Sequence, residues 1–540
     1  MRTSLIATYL AHALLSGIPP VRPQATYGEN SLPVSRDSET VSRAFPELSN
    51  IELISPAFTN PDTLPEGWRN GTEGPTSDTE LDYFYRTLAD RNDWLTYQAA
   101  DFRSEEGRAI PYLFLSDPDT QARNATKLRV YIQAAIHGNE PGGDQAVAAL
   151  LGKMDRNQSF TASVLERLDI KILPRYNPDG VSYFQRALAC NLDGNREHIK
   201  LAREQSQRIK QVFMDFNPHI SIDMHEFNAP TIYGGAYQPG ADALISGGIN
   251  PNIHPDIRGL LLDGFIPFIG SNLVANGLRW EPYVTGTSNS TPGSRIVLEE
   301  AVTEARTGRN AYGLTQTVSF LFELRGIRLA DQHFQRRVAT GLIKLESALT
   351  YAAQNFDAVL STIEGARADF IASTSDIVVT DYYTRTNRTF TLVNRATGAV
   401  EQVPVEFFET TPSVANLTRA RPEAYLIPRT WFDVAAKLRN FGLEVQTLDY
   451  EYRGTVEALN ITSSEIDAVL YEGAVLNTVT TQASEKEVNL PTGSFLVSTR
   501  QKNAGLAFVA LEPENIDSFV AFNIIPLEEG DEYPVFRIMS

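Results

Sequence analysis

Two side chains that can bind the same metal ion stand three residues apart in the stretch His137-Gly-Asn-Glu140. The preceding residues, 128–136, are mostly apolar or β-prone and predict a buried strand, while residues 144–154 carry apolar positions at helical spacing. The pair therefore lies on a turn after the carboxyl end of a strand, where open α/β sheets place their ligands. An imidazole and a carboxylate suit zinc, and a catalytic zinc site requires one more protein ligand and a position for water.

His225 is the predicted third ligand. It stands in residues 219–227, where apolar residues alternate with small or acidic ones, and so it follows another predicted strand. The 84 residues between Glu140 and His225 leave room for a helix, a strand and a substrate-binding loop. The chain has seven histidines, and those that we interpret as structural, surface or leader residues are His12, His198, His219, His254 and His333.

A carboxylate that could act on water follows a third strand. Residues 317–326 have strong β character, and Glu323 stands near their end. A carboxylate beside a metal can take a proton from metal-bound water and pass it to a leaving nitrogen. Taken singly, Glu323 is better interpreted as a surface residue at a sheet edge.

Five motifs together resemble the zinc carboxypeptidase family. They occur in the family's order, and residues 104–111 also resemble the first hairpin of its catalytic domain. The resemblance covers about residues 78–355. The motifs are His137-x-x-Glu140, Asn177-Pro-Asp-Gly180, Asp193-Gly-Asn195-Arg196, Asp223-Met-His225 and Phe322-Glu323-Leu-Arg-Gly326.

The resemblance implies a role for each matching residue. It implies one zinc ion per chain, bound by His137, Glu140 and His225, with Glu323 as the general base and acid. A guanidinium and an amide can hold a carboxylate through directed hydrogen bonds, and an acid beside a zinc-bound imidazole fixes its tautomer. The remaining implied roles are binding of the substrate's C-terminal carboxylate by Asn195 and Arg196, polarisation of the scissile carbonyl by Arg186, and orientation of a zinc-bound imidazole by Asp193.

The chain departs from the family pattern at three points. The stretch between Glu140 and His225 is shorter than in the pancreatic enzymes, which indicates trimmed loops. Glu226 stands where those enzymes carry a small residue. The family tyrosine that covers the bound C-terminus has no counterpart at the family spacing; Tyr312 is our predicted substrate-binding residue, with Tyr283 as the other candidate.

Composition and charge indicate a soluble secreted protein. Of the 540 residues 42% are hydrophobic and 21% charged, and the net charge of −19 argues against nucleic acid or an anionic membrane as partner. No apolar run after the leader is long enough to predict a transmembrane helix. Residues 1–17 resemble a secretory signal, and Cys190 is the only cysteine, which excludes an internal disulfide. Sequons for N-glycosylation stand at Asn70, Asn124, Asn157, Asn289, Asn387, Asn416 and Asn460.

The chain is predicted to contain two domains. After the signal, residues 18–77 are an irregular arm or a short pro-segment, and residues 78–356 form an α/β catalytic domain whose mixed central sheet has helices on both faces. Residues 234–255 are predicted to be a long surface loop, and residues 357–375 a linker. Residues 376–540 read as a smaller domain that is mostly β.

We therefore expect a secreted zinc metallocarboxypeptidase whose substrates are peptide or protein C-termini. In this reading a zinc-activated water attacks the terminal peptide bond while Glu323 moves the proton. One alternative is a zinc amidohydrolase acting on a wall peptide, an isopeptide or an acylated amino acid. Another is an inactive homologue used for binding. The preferred terminal side chain and the oligomeric state are not predicted.

Overall fold

The computed structural model describes residues 26–123 and 125–540. The predicted signal at residues 1–17 and the sequon at Asn124 lie outside the described residues. The α-helices are α1 Glu39–Ser42, α2 Pro56–Thr59, α3 Glu66–Asn70, α4 Asp78–Arg91, α5 Pro118–Ala122, α6 Gly142–Arg156, α7 Gln158–Leu165, α8 Pro178–Tyr183, α9 Glu204–Phe216, α10 Pro255–Gly259, α11 Ile266–Ala275, α12 Gly308–Gly313, α13 Phe334–Gln354, α14 Phe356–Ala372, α15 Phe432–Asn440 and α16 Ala504–Leu511.

The strands form three sheets. The strands are β1 Leu95–Arg103, β2 Ala109–Leu115, β3 Leu128–Ala134, β4 Leu168–Leu173, β5 Ile220–Asn228, β6 Tyr237–Pro239, β7 Ala243–Gly247, β8 Trp280–Pro282, β9 Val284–Thr285, β10 Val297–Glu300, β11 Val318–Ile327, β12 Ile377–Asn394, β13 Val400–Arg419, β14 Ala424–Ile427, β15 Gln446–Thr447, β16 Tyr452–Tyr471, β17 Ala474–Leu490, β18 Phe495–Ser498 and β19 Phe536–Ile538.

The largest sheet has the order β1-β2-β4-β3-β5-β11-β7-β8. Its centre is parallel, because β4, β3, β5 and β11 all pair in that sense. Successive side chains of a strand point to opposite faces. Val130 and Ile132 accordingly join one apolar cluster with residues of α6 and α13, whereas Tyr131 joins another with Phe213 of α9 and Tyr312 of α12. The predicted mixed sheet with helices on both faces is confirmed.

The segment predicted as a surface loop, residues 234–255, contains β6 and β7, so that prediction is wrong. β7 is buried along its whole length and pairs antiparallel with β11. A Cβ at Gly247 would lie 2.2 Å from the Ser319 carbonyl oxygen, so glycine permits the close approach of the two strands. Glycines and prolines surround this short apolar run, as they commonly do in loops, and the strand that it pairs with is distant in sequence. The local pattern therefore predicted a loop.

The predicted linker at residues 357–375 is also wrong. Residues Phe356–Ala372 form α14, and Val359 and Ile363 on it are completely buried in the core. No domain boundary falls cleanly at residue 376 either. The long hairpin β12–β13 pairs with β6 and β10 in the sheet β6-β12-β13-β10-β9, which joins the two predicted domains.

A six-stranded sheet, β15-β18-β14-β19-β16-β17, makes the C-terminal region rich in β-structure. Its hairpin β16–β17 is 20 and 17 residues long in its two strands. The turn at its tip contains Glu472 and Gly473, both with positive φ of 47° and 77°. This tip reaches the cavity described below.

Residues 26–77 pack against the catalytic domain as an arm. Asp37 makes a buried, two-pronged ion pair with Arg325 of β11, at 2.6 and 3.0 Å. Trp68 is buried against the rings of Phe184 and Phe334. Asp37 and Trp68 therefore anchor this segment on the catalytic domain.

One helical stretch, Pro255–Ala275, has the length and apolar composition of a membrane-spanning helix. About a third of its most apolar window is buried. A Cβ at Gly270 would lie 2.4 Å from the Trp280 ring, and Phe265 packs on Tyr351 of α13. The stretch therefore covers one edge of the large sheet.

Candidate metal centre and substrate cavity

The turn between β3 and α6 carries His137 and Glu140, as the sequence predicts. The turn is held in place by a close approach to the start of α8. A Cβ on Gly138 would lie 2.0 Å from the backbone carbon of Gly180. Asn177 caps α8 by accepting from Gly180 N at 2.8 Å, and its amide donates to the Ala187 carbonyl at 3.0 Å. The Asn177-to-Gly180 motif thus packs against the turn that carries the metal ligands and fixes its position.

The two predicted histidine ligands and Glu140 converge in the protein interior. His137 Nδ1 is 2.8 Å from Glu140 Oε1, and His225 Nδ1 is 3.1 Å from Glu140 Oε2. The two Nδ1 atoms are 3.2 Å apart. All three side chains are buried. Burial alone would raise the pKa of Glu140, but the two histidines hold it well below its usual range.

Each imidazole has a carboxylate behind it. His137 Nε2 lies 2.9 Å from Asp193 Oδ1, and His225 Nε2 lies 3.0 Å from Asp223 Oδ2. Burial opposes protonation of His225, but Asp223 and then Glu140 raise its pKa well above the usual value. Asp193 was predicted in this position. Asp223 was quoted only as part of a motif, although its spacing of two residues from His225 along the strand was a usable signal.

The donor set fits a zinc ion. A carboxylate beyond each ring places the ring proton on Nε2 and leaves the Nδ1 lone pair facing inward. Two such lone pairs and the Glu140 carboxylate then share one small space, which is a donor set that a divalent cation would complete. Described His, Cys, Asp and Glu side chains offer one cluster able to hold a metal ion, and it is His137, Glu140 and His225. Two nitrogens and one carboxylate oxygen are the ligands of many catalytic zinc sites.

Glu226 has a structural role beside the metal ligands. Its carboxylate accepts two hydrogen bonds from Arg337 of α13, at 2.8 and 2.9 Å. Its backbone N donates to Glu140 Oε2 at 2.8 Å. The acidic residue that departs from the family pattern is therefore neutralised by a buried arginine and helps to orient Glu140.

Glu323 lies beside His225, because β11 and β5 pair with these two residues in register. The side chain is 5% exposed, and its Oε2 has no hydrogen-bond partner within residues 26–123 and 125–540. Burial raises the pKa of Glu323 to about 7, with His225 opposing and Glu140 adding to the shift. Lys344 is buried next to it and donates to the Glu323 carbonyl at 2.8 Å. Such an uncommitted carboxyl suits acid–base chemistry.

Asn195 and Arg196 lie on a short 3₁₀ turn, Gly194–Arg196, which Asp193 caps by accepting from Asn195 N at 2.8 Å. The Asn195 side-chain oxygen accepts from Gly308 N at 2.7 Å. The Arg196 guanidinium donates to the Asn195 carbonyl at 2.8 Å, and within the described residues it makes no ion pair. Burial alone would lower the pKa of Arg196, but nearby groups, the Asp193 carboxylate first among them, raise it.

The Arg186 guanidinium contacts Asp193 and the metal ligand Glu140. Its Nη2 is 3.0 Å from Asp193 Oδ2, and its Nη1 is 3.2 Å from Glu140 Oε1. About a third of its side chain stays exposed. Burial would lower the pKa of Arg186, but Asp193 and Glu140 raise it. The arginine thus sits between the metal ligands and the open cavity.

The prediction for Tyr312 is corrected by its position. Its side chain is 1% exposed, and its hydroxyl donates to Gln133 at 3.0 Å. Its ring stacks on Phe213 at a centroid distance of 3.9 Å, in the apolar cluster beneath the sheet. Tyr283, the other candidate, lines the cavity instead.

A cavity of about 460 Å³ unites these groups. Sequence reasoning missed several of its lining residues, among them Arg309 and Tyr471. Tyr471 comes from the tip of the β16–β17 hairpin, and the adjacent Glu472 accepts from Asp193 N at 2.7 Å. No local signal marks a residue some 280 positions from the loop it contacts. The predicted residues that line the cavity are His137, Glu140, Arg186, Asn195, Arg196, His225 and Glu323.

The chain is similar in sequence to known proteins. A profile of the zinc carboxypeptidase family matches residues 84–226. Carboxypeptidase 2 of Trichophyton equinum is 49% identical over 516 residues, which cover 95% of this chain and 96% of that protein. Carboxypeptidase 2 of Trichophyton rubrum is 49% identical over 517 residues, with the same coverage. A solved metallo-carboxypeptidase from Burkholderia cenocepacia has a TM-score of 0.40 and 16% identity, covering 52% of this chain and 70% of that one.

Proposed function

This chain belongs to the zinc carboxypeptidase family and is a peptidase of the hydrolase class, and we propose that it is a secreted enzyme that removes C-terminal residues from peptides with one bound zinc ion. His137, Glu140 and His225 hold the zinc. Glu323 is the general base and acid, and Arg186, Asn195 and Arg196 bind the substrate.

One observation carries this proposal. Asp193 lies against His137 through one carboxylate oxygen and caps the turn of Asn195 and Arg196 from the same oxygen. The Asp193 side chain therefore positions both a metal ligand and the pair Asn195 and Arg196, which we call the carboxylate clamp. A substrate whose terminal carboxylate contacts the clamp would place its last peptide bond near the metal ligands.

Zinc bound by the three ligands would supply a Lewis acid for the scissile carbonyl and lower the pKa of water. Glu323 then takes the proton from the attacking water and delivers it to the departing nitrogen. A carboxyl with a pKa near 7 suits both transfers. Arg186, held by Asp193 and Glu140, orients the scissile carbonyl oxygen.

The clamp explains why the enzyme should act only at chain ends. The Arg196 guanidinium is mostly buried and lacks an ion-pair partner within the described residues. A substrate with a C-terminal carboxylate provides that partner, whereas an internal or amidated chain leaves the guanidinium unpaired and desolvated. We therefore propose exopeptidase action.

Secretion is supported by the sequence and by side-chain exposure. Of the six sequon asparagines that the structure describes, Asn70, Asn157, Asn289, Asn387 and Asn416 are exposed. Asn460 is half-buried, and its amide donates to Ser484 at 3.2 Å. Five accessible sites agree with a glycosylated chain that carries a signal at residues 1–17.

The deciding experiment offers short peptides with free or amidated C-termini to the purified protein, with and without a chelator. We expect loss of single C-terminal residues from free peptides only, and no cleavage after chelation. Glu323→Gln should lower kcat by roughly 10²–10⁴-fold and retain one equivalent of zinc. Glu299→Gln, at an exposed position of β10, serves as the matched control and should change neither.

Cleavage of amidated and free peptides at the same rate would show that Asn195 and Arg196 do not bind the substrate's C-terminal carboxylate. Cleavage that survives removal of the metal would exclude the zinc mechanism. If peptides are refused while other amides are hydrolysed, the substrate is a non-standard amide instead.

A further inference from the structure

A second arginine without an acidic partner lies in the cavity. Arg309 is 4% exposed and lines the same cavity as Asn195, Arg196 and Glu323. Its Nη2 donates to the Val302 carbonyl at 2.7 Å, and its Nε has no hydrogen-bond partner within the described residues. No described carboxylate lies within ion-pair distance of it. A buried charge left unpaired is costly, so a partner from outside the chain is expected.

The position of Arg309 relates it to the clamp. Gly308 N donates to the Asn195 side chain at 2.7 Å, and Arg309 is the next residue on α12. The Arg309 guanidinium lies over the ring of Tyr283, 5.8 Å from its centroid. Arg309 is therefore fixed close to the point where Asn195 would hold a substrate's terminal carboxylate.

The acidic residues in this part of the wall are already engaged. Glu300 Oε2 accepts from the backbone N atoms of Thr410 and Thr411, at 2.8 and 2.9 Å. Glu304 lies 3.4 Å from the Nε of Arg306. Neither carboxylate pairs with Arg309. Burial lowers the pKa of Arg309, which is the response of a cation that lacks a close counter-ion.

The cavity thus holds two guanidinium groups, of Arg196 and Arg309, with no carboxylate partner among the described residues. A peptide whose last residue is glutamate or aspartate carries two carboxylates on that residue. We propose that Arg309 binds the side-chain carboxylate of such a residue, and that the enzyme prefers acidic C-termini. This proposal rests on the proposed carboxypeptidase function and adds its substrate class.

The test compares peptides that differ only at the last residue. Peptides ending in Glu and in its uncharged isostere Gln should differ in kcat/KM by roughly ten- to a hundredfold, because a charged hydrogen bond inside a protein contributes about 1.5–3 kcal/mol. Peptides ending in Leu and Lys complete the panel. In Arg309→Met the Glu-to-Gln ratio should fall to about one, mainly through a higher KM for the Glu peptide.

Two control variants separate specificity from structure. Arg196→Met should lower kcat/KM for every free C-terminus alike. Arg258→Met changes another partly buried arginine whose Nε is unpaired but which lies on α10, outside the cavity, and should leave the Glu-to-Gln ratio unchanged. Arg309→Lys should recover part of the preference for Glu.

A binding measurement does not depend on turnover. By calorimetry on the zinc-loaded protein, N-acetylglutamate should bind at least tenfold more tightly than N-acetylglutamine, and Arg309→Met should remove the difference. Equal binding of the two ligands, or a wild-type preference for Leu or Lys termini, overturns the proposal. Failure to cleave any peptide, with the binding difference intact, counts against the peptidase function and not against the acidic site.

Discussion

The ion pair between Asp37 and Arg325 allows a quantitative prediction about the arm. Both side chains are almost completely buried, and two short hydrogen bonds join them. Burial would raise the pKa of Asp37, but Arg325 and His333 lower it from 3.8 to about 2. A shift of this size corresponds to roughly 2.4 kcal/mol of stability at neutral pH. Breaking a buried pair outright costs about 3–5 kcal/mol.

Asp37→Asn replaces the carboxylate by an uncharged group of the same shape. Because it resembles the protonated acid, we expect a loss of about 2.4 kcal/mol or more in the free energy of unfolding at pH 7. Urea denaturation followed by tryptophan fluorescence measures this, since Trp68 on the arm is buried in the folded protein. Asp62→Asn, at an exposed site on the same arm, should change the free energy by less than about 0.5 kcal/mol.

The pH dependence has a defined sign. The folded pKa of Asp37 lies below the unfolded value, so its stabilisation is complete above about pH 4 and is lost as the pH falls towards 2. The difference between wild type and Asp37→Asn should shrink over that range. Equal urea midpoints at pH 7, or a difference that persists at pH 2, would refute the reasoning.

Three further substitutions test the support of the metal site. Asp223→Asn should weaken zinc binding by roughly 10–100-fold, as measured by competition with a chelator, and unchanged affinity would contradict its role. Gly138→Ala forces a Cβ to within 2.0 Å of the Gly180 backbone, so zinc stoichiometry or soluble yield should fall sharply. Arg337→Met leaves Glu226 buried and unpaired and should lower the free energy of unfolding by about 3–5 kcal/mol; an unchanged urea midpoint would show that Glu226 is neutralised in another way.

Local sequence pattern predicted the centre of the fold well. The strands at residues 128–134, 168–173, 220–228 and 318–327 agree with their predictions to within two residues. β3, β5 and β11 are buried along almost their whole length, whereas β4 alternates buried apolar residues with half-buried charged ones. Both patterns signal strands without knowledge of their partners. β7 was missed because its five residues are too short to be distinguished from a loop, and their burial depends on β11, more than seventy positions away.

The candidate site residues also fall into two groups, those that local sequence pattern identifies and those that only the packing of the folded chain identifies. His137 and Glu140 follow β3, and His225 and Glu323 lie in the second halves of β5 and β11, so local pattern and motif order were sufficient to find them. Tyr312 and Tyr283 were equivalent as aromatic side chains in sequence, and only packing decides that one is buried beneath the sheet and the other faces the cavity. Arg309 carried no signal, because its importance comes from the lack of an acid nearby in space.

The hairpin β16–β17 affects when the enzyme can become active during its synthesis. Tyr471 and Glu472, which complete the cavity and the loop of Asp193, lie at the turn of a hairpin that ends at Leu490. The last short strand, β19, pairs with β16 only after residue 536. A nascent chain would contain its metal ligands and Glu323 long before the β16–β17 hairpin, which completes the cavity wall, has been synthesised. We therefore expect that ribosome-bound chains lack a finished substrate site until nearly all of the protein has been made.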